Sequence, residues 1–338
     1  MNTLIVAPNW IGDALMAQPL LTLIKRADPP QRIHVLAPKW VAPVFDAMPE
    51  VDTVIPTSFA HGKLQWNERL AIARQLRRQR YDRVFVLPNS FKSALIPRLA
   101  RIPARIGFRG ESRLLLLNRR VVGPDATQPM AARYAQLASA IGVVVPTTLP
   151  RPKLVVDTAD SAAACAKFRL ERRPLFALCP GAEYGPAKRW PAAHFAELAR
   201  LILDRHHYAQ IVLLGGPGDR AAADAIVAAS IGDVGKDSRM RNLVGQTDLS
   251  EAIALIAAAT QVVSNDSGLM HVAAALGRPQ TALFGSSDPR HTPPLSERAR
   301  VLWLHLDCSP CFQRTCPLGH LNCLVQMAPQ SVFETLQN

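Results

Sequence analysis

One rhythm constrains this chain more than any other feature, and it occurs twice: a short, nearly uninterrupted apolar run, then a helical stretch, then another apolar run. In the first half, TLIVAP (3–8) leads into ALMAQPLLTLIKR (14–26), followed by IHVLAP (33–38), the polar helix NERLAIARQLRRQR (67–80) and DRVFVLPNS (82–90). In the second half, PLFALCPGA (174–182) precedes AAHFAELARLILDRH (192–206). QIVLLGG (210–216), RAAADAIVAAS (220–230), the strand-like NLVG (242–245), SEAIALIAAA (250–259), QVVSND (261–266) and QTALFG (280–285) follow. A strand that is apolar on both faces must be covered on both, so the pattern predicts parallel sheets with helices on either side. Between the halves lies the proline- and charge-rich VVVPTTLPRPKLVVD (143–157), which reads as a linker. The expected architecture is α/β, two doubly wound Rossmann-like domains facing a central cleft. Ligands are then expected beyond the carboxyl ends of the strands.

Composition narrows the classes of function. With 49% hydrophobic and 19% charged residues the chain is globular rather than disordered. No apolar stretch reaches the roughly 18 residues of a membrane span. The start, MNTLIVAPNWIGD, lacks the basic lead and long apolar core of a secretory signal, which leads us to expect a cytoplasmic protein. The formal charge is +13, and its distribution is uneven: residues 1–150 hold 20 basic against 9 acidic residues, whereas the rest is nearly balanced. Within 92–120, Lys92, Arg98, Arg101, Arg105, Arg109, Arg113, Arg119 and Arg120 face only Glu111. This is either a solvated basic face or a surface for a polyanion: nucleic acid, anionic lipid or a phosphorylated substrate. Aromatic residues make up 6% and are not interleaved with these arginines, which argues against a single-strand stacking platform.

Neither G-x-G-x-x-G nor G-x-x-x-x-G-K-[ST] occurs, which disfavours a nicotinamide dehydrogenase and a P-loop nucleotidase. The candidate residues stand at strand ends instead. Asp13, after Gly12, opens the first long helix and is either its N-cap or a carboxylate facing the cleft. Lys188 stands near a helix entrance in CPGAEYGPAKRWP (179–191), where a cation opposes the macrodipole unless an anion is shared with backbone N–H groups; the alternative is an exposed surface lysine. Asp266, Ser267 and Gly268 end an apolar strand and open a helix. That geometry offers N–H groups, a hydroxyl and a close backbone approach to a phosphate, with His271 either on the same anion or simply structural. Near the C-terminus, Cys308, Cys311, Cys316 and Cys323 are spaced C-x2-C-x4-C-x6-C, with His320 between the last two. In a reducing compartment these are either ligands of a structural metal, with four thiolates or three and His320, or reduced, redox-labile thiols.

Taken together, PNWIGDALMAQPL, LPNSFKSALIPRLARIPARIGFRGE, CPGAEYGPAKRWP and NDSGLMHVAAAL with its downstream GRP resemble the lipopolysaccharide ADP-heptose heptosyltransferases over nearly the whole chain. The resemblance implies a GT-B fold, with an acceptor-binding domain over 1–155 and a donor-binding domain over 156–338 that carries the cysteine-rich tail. It implies an inverting transfer from ADP-L-glycero-β-D-manno-heptose to the first heptose of the Kdo–lipid A inner core; the alternative is a related GT-B transferase acting on another core acceptor or sugar. No cofactor, and no metal for catalysis, is expected. By motif, Asp13 is the general base and Lys188 holds the donor's phosphates. Asp266, Ser267, Gly268 and His271 hold the diphosphate and sugar, and Thr247 lies near the nucleotide. Lys92, Arg98, Arg101, Arg105 and Arg109 are then read as the acceptor's basic surface. The expected setting is peripheral, against the anionic cytoplasmic face of the inner membrane, with no nucleic acid as partner.

Overall fold

The computed structural model describes residues 1–59, 64–110, 112–123, 128–230 and 237–336; Glu111, the one acid within the basic run, lies outside them. The chain forms two compact units, Met1–Leu154 and Val155–Asn338. The first holds strands β1 (Asn2–Val6), β2 (Arg32–Pro38), β3 (Thr53–Thr57), β4 (Arg83–Val86), β5 (Ala104–Phe108) and β6 (Arg119–Val121), ordered β3-β2-β1-β4-β5-β6. The second holds β7 (Leu175–Cys179), β8 (Gln210–Leu213), β9 (Met240–Asn242), β10 (Gln261–Asn265), β11 (Gln280–Phe284) and β12 (Ala299–Trp303), ordered β12-β11-β10-β7-β8-β9. Every pairing in both sheets is parallel. Counted from its own first strand, each sheet has the same doubly wound order. The winding reverses between β1 and β4 in one unit and between β7 and β10 in the other.

The central strands are where the apolar runs place them. Leu4 and Ile5 in β1, Val84 to Val86 in β4, Ile211 to Leu213 in β8 and Val262 and Val263 in β10 are fully buried. Helices cover them because their apolar residues recur at helical spacing. In Ala192–Arg205, Phe195, Leu198, Ala199, Ile202 and Leu203 form one buried stripe against the second unit's core. Burying each of the larger side chains contributes about 1.5–3 kcal/mol. The first unit has its own core, in which Leu4, Val6, Val84 and Val86 meet Leu95, Ile96 and Leu117. The structure adds strands that the apolar pattern does not mark, among them the edge strands β3 and β6 and the inner β5. At the edges one side of each strand lacks a neighbour, which is why β3 tolerates Pro56 and β6 opens with Arg119 and Arg120. No helix among the described residues is long and apolar enough to cross a membrane.

Candidate active site

Parallel strands all end at the same edge of a sheet, so residues far apart in sequence meet there. In the second unit, Lys188 closes a 3₁₀ turn, Pro186–Lys188, in the loop that follows β7. Its Nζ donates to Asp266 Oδ2 at 2.5 Å and lies 5.2 Å from the centre of the Tyr184 ring. Asp266 is the first residue beyond β10. The same oxygen accepts from Ser287 Oγ at 2.5 Å, beyond the end of β11. Thus three adjacent strands, β11, β10 and β7, deliver side chains to one carboxylate oxygen beside the switch point. Asn265 locks the arrangement: its Oδ1 accepts from Trp190 N–H at 3.1 Å and its Nδ2 donates to the Pro180 carbonyl at 2.7 Å. The Lys188 and Asp266 side chains are only 17% and 5% exposed, so this is an embedded ion pair rather than a surface one. Lys188 is therefore not the exposed surface lysine that the sequence left open.

Asp266 does not cap the following helix; Ser267 occupies the N-cap of Gly268–Ala275, and its side chain makes no capping hydrogen bond. Its hydroxyl lies 3.2 Å from Ser264 Oγ instead. The first N–H groups of that helix therefore remain for an anion at the sheet's carboxyl edge. His271 is buried on this helix. Burial pushes its pKa down to about 4, the Lys188 charge acting with burial and the Asp266 charge against it. At neutral pH it can offer one N–H but no positive charge. Thr247, half-buried, stands just before Asp248, which caps helix Leu249–Ala258 by accepting from Glu251 N–H at 2.8 Å. It follows edge strand β9, two strands from β7, or roughly 10 Å by strand spacing. Thr247 thus shares the carboxyl edge with Lys188 but not its cluster.

In the first unit, Trp10 and not Asp13 occupies the N-cap of helix Ile11–Ala27. Asp13 is the third residue of that helix, half-buried, where the macrodipole favours a carboxylate. Its Oδ1 accepts from Tyr134 Oη–H at 3.0 Å. Burial holds the Tyr134 hydroxyl well above its usual range, reinforced by the Asp13 charge and this hydrogen bond, so Tyr134 is a fixed donor. Sequence alone offers no sign of Tyr134. Ser287 does carry one, since FGSS ends a strand in the manner of the other sites.

The basic run divides between the two edges of its sheet. Lys92 opens the helix Phe91–Leu99 after β4, and Arg109 follows β5, so both lie at the carboxyl edge with Asp13. Arg98 is in the last turn of that helix, Arg101 lies in the connection to β5, and Arg105 is the second residue of β5. These three are at the opposite, amino edge, because a helix between parallel strands returns the chain to where the next strand starts. Arg105 is also committed to its own surroundings, with Nε on the Leu116 carbonyl at 2.7 Å and Nη1 on that of Ile102 at 2.6 Å. Arg113 is buried, donating to the Pro88 carbonyl at 2.8 Å and to Asn89 Oδ1 at 2.9 Å. Lys92 and Arg109 thus share the sheet edge of Asp13, and Arg98, Arg101 and Arg105 do not.

Cys308, Cys311, Cys316 and Cys323 are unbridged and line one small cavity, although no three of the described His, Cys, Asp or Glu side chains stand gathered at ligating distance.

Two doubly wound parallel units, with ionisable side chains at the switch point of each, are the framework of a GT-B glycosyltransferase. The chain belongs to glycosyltransferase family 9, the heptosyltransferases, whose sequence pattern matches residues 69–322. It is similar to lipopolysaccharide heptosyltransferase 2 of Salmonella typhimurium, at 44% identity with 100% of this chain and 98% of that protein aligned. Against the protein of that name from Escherichia coli K12 the identity is 43%, over 99% and 97% of the two chains. The solved structure of E. coli ADP-heptose lps heptosyltransferase II superposes with a TM-score of 0.87 at 42% identity, covering 100% of this chain and 98% of that one.

Proposed function

We propose that this protein transfers heptose from ADP-L-glycero-β-D-manno-heptose to the first heptose of the Kdo–lipid A inner core, with inversion at the anomeric carbon. The observation that carries this reading is the convergence of Lys188, Asp266 and Ser287 beside the uncapped start of helix Gly268–Ala275. A diphosphate at that place meets an ammonium and backbone N–H groups together. Those donors stabilise the charge that grows on ADP as it departs. Asp266 holds the ammonium in place before the donor arrives, and His271 contributes as a neutral N–H donor. Thr247, farther along the same edge, is assigned to the nucleotide end.

Asp13 is the general base. It takes the proton of the acceptor hydroxyl as that oxygen attacks the anomeric carbon, and the Tyr134 hydroxyl fixes one carboxylate oxygen so that the base has a defined orientation. On this reading no metal or cofactor takes part in the transfer. Lys92 and Arg109 meet the acceptor's anionic groups, and a lipid-anchored acceptor puts the enzyme at the cytoplasmic face of the inner membrane, as a peripheral protein. The end-to-end likeness to the Salmonella and E. coli proteins supports the choice of donor and acceptor. The test incubates pure protein with ADP-heptose and a panel of truncated core acceptors, with products read by mass spectrometry. We expect one added heptose on the acceptor that already carries a single heptose. Addition to a Kdo-only acceptor in its place, or no use of ADP-heptose, would refute the assignment.

A further inference from the structure

Residues 304–321 contain no helix or strand, and Ser309 is the one buried residue among them. Ordering so long a segment costs backbone entropy that its own packing does little to offset. Yet the segment is fastened to both walls of the Lys188–Asp266 site. On one wall, Phe312 N–H donates to the Ser286 carbonyl at 2.7 Å and Ser309 Oγ to that of Gly285 at 2.6 Å, next to the Ser287 that bonds Asp266. On the other, Ala187 N–H donates to the Arg314 carbonyl at 3.0 Å and Tyr184 Oη to that of Phe312 at 2.8 Å, gripping the turn that ends in Lys188. Gly185 is part of the fit: a Cβ there would strike the Arg314 carbonyl. Something must hold the segment itself in this shape.

The four cysteines surround a cavity of about 20 Å³ whose wall includes Ala187 and Ser286, enough room for one water-sized body. A further observation points into it. The Ser286 hydroxyl, 1% exposed, has no hydrogen-bond partner among the described residues, a costly state unless a ligand or a ligating atom satisfies it. His320 is less suited as a ligand, since its Nδ1 already accepts from Asn322 N–H at 3.0 Å.

We propose that Cys308, Cys311, Cys316 and Cys323 bind one thiophilic metal ion through four thiolates, and that this ion clamps residues 304–321 onto the walls of the Lys188–Asp266 site. Four sulfur ligands select tetrahedral zinc or iron. Binding turns the thiols inward from the cavity wall, and each proton lost goes to solvent. The ion is structural and touches no substrate. The second half of the proposal rests on the reading of that site as the donor-phosphate site.

The test uses the full chain purified anaerobically under reducing conditions. Elemental analysis should find one equivalent of zinc or iron per chain, and the Cys308→Ser/Cys311→Ser variant should lose it. Stripping the parent with a chelator and adding cobalt(II) should produce thiolate-to-cobalt charge-transfer absorption. This arm decides the question even where the serine variant fails to fold. Absence of bound metal in the reduced parent together with no such absorption overturns the site. For the clamp, ADP titrated into the stripped and reconstituted parent should bind about fivefold or more weakly without metal, the lower end of ordinary site-to-site coupling. Equal affinity with and without metal overturns the clamp and leaves the metal site standing. Failure of the metal-loaded parent to bind ADP overturns the clamp together with the donor-site reading, while metal content and the cobalt spectrum still decide the site.

Discussion

Replacing Lys188 by Met should affect stability and ligand binding separately, and a second substitution should tell them apart. Asp266 is embedded, with its side chain 5% exposed, and one of its oxygens accepts both Lys188 and Ser287. Removing one partner of such a pair strands the other charge, at a cost of about 3–5 kcal/mol. Lys188 retains 17% exposure, which lets water reach the site, so the lower end applies. About 3 kcal/mol lowers the melting temperature of a unit this size by roughly 6–12 °C. In Lys188→Met/Asp266→Asn no charge is stranded, and most of that loss should return. ADP affinity should not return, because the ammonium is still missing. A charge-assisted phosphate contact contributes about 1.5–3 kcal/mol, or about one to two decades in Kd. Lys188→Arg should recover only part of the affinity, since a planar fork replaces a compact ammonium. Thermal melts and calorimetric ADP titrations on the parent and these variants give both readouts. A double variant with parental ADP affinity removes Lys188 from the phosphate site, and a Lys188→Met protein as stable as the parent shows that the pair holds nothing together.

Three other perturbations test the remaining parts of the site. Asp13→Asn should lower kcat by about 10²–10⁴-fold with little change in melting temperature, because Trp10 is the N-cap; parental kcat would end the general-base assignment. Lys92→Glu/Arg109→Glu should raise KM for the lipid-linked acceptor and Arg98→Glu/Arg101→Glu should not, so similar effects from both pairs would refute the division between sheet edges. His271 titrates near pH 4 in the folded protein against about 6.5 when unfolded. The unfolded chain therefore takes up a proton that the native one refuses, and stability that is complete above pH 6.5 is lost as pH falls toward 4. The loss approaches about 3 kcal/mol. His271→Gln should flatten that slope in denaturant melts at neutral and acid pH, and an unchanged slope would place its origin elsewhere.

The difference between what could be read in advance and what could not follows from how a parallel sheet is built. A central strand must be apolar on both faces, so β1, β4, β7 and β10 are conspicuous as LIV, VFV, LFALC and QVV. The residues that end them, Asp13, Lys188 and Asp266 to Gly268, are conspicuous with them. Edge strands escape that requirement: β6 begins with two arginines, and β12 carries Arg300 among its apolar residues and buries none of them fully. Tyr134 gave no signal because its bond to Asp13 spans 121 residues and its own six-residue helix is too short to show a period. Charge counted along the chain misled for a related reason. Lys92 and Arg98 are six residues apart, yet the helix between them rises about 1.5 Å per residue and carries them to opposite edges of the sheet. Lys188 and Asp266 are 78 residues apart and Asp266 and Ser287 are 21 apart, yet all three share one carboxylate oxygen. In this fold a residue's chemical neighbours are set by which end of a strand it follows, and nearness in sequence is a poor substitute. The +11 of the first 150 residues is therefore not one surface: Lys92 and Arg109 stand at the edge that carries Asp13, and Arg98, Arg101 and Arg105 stand at the other.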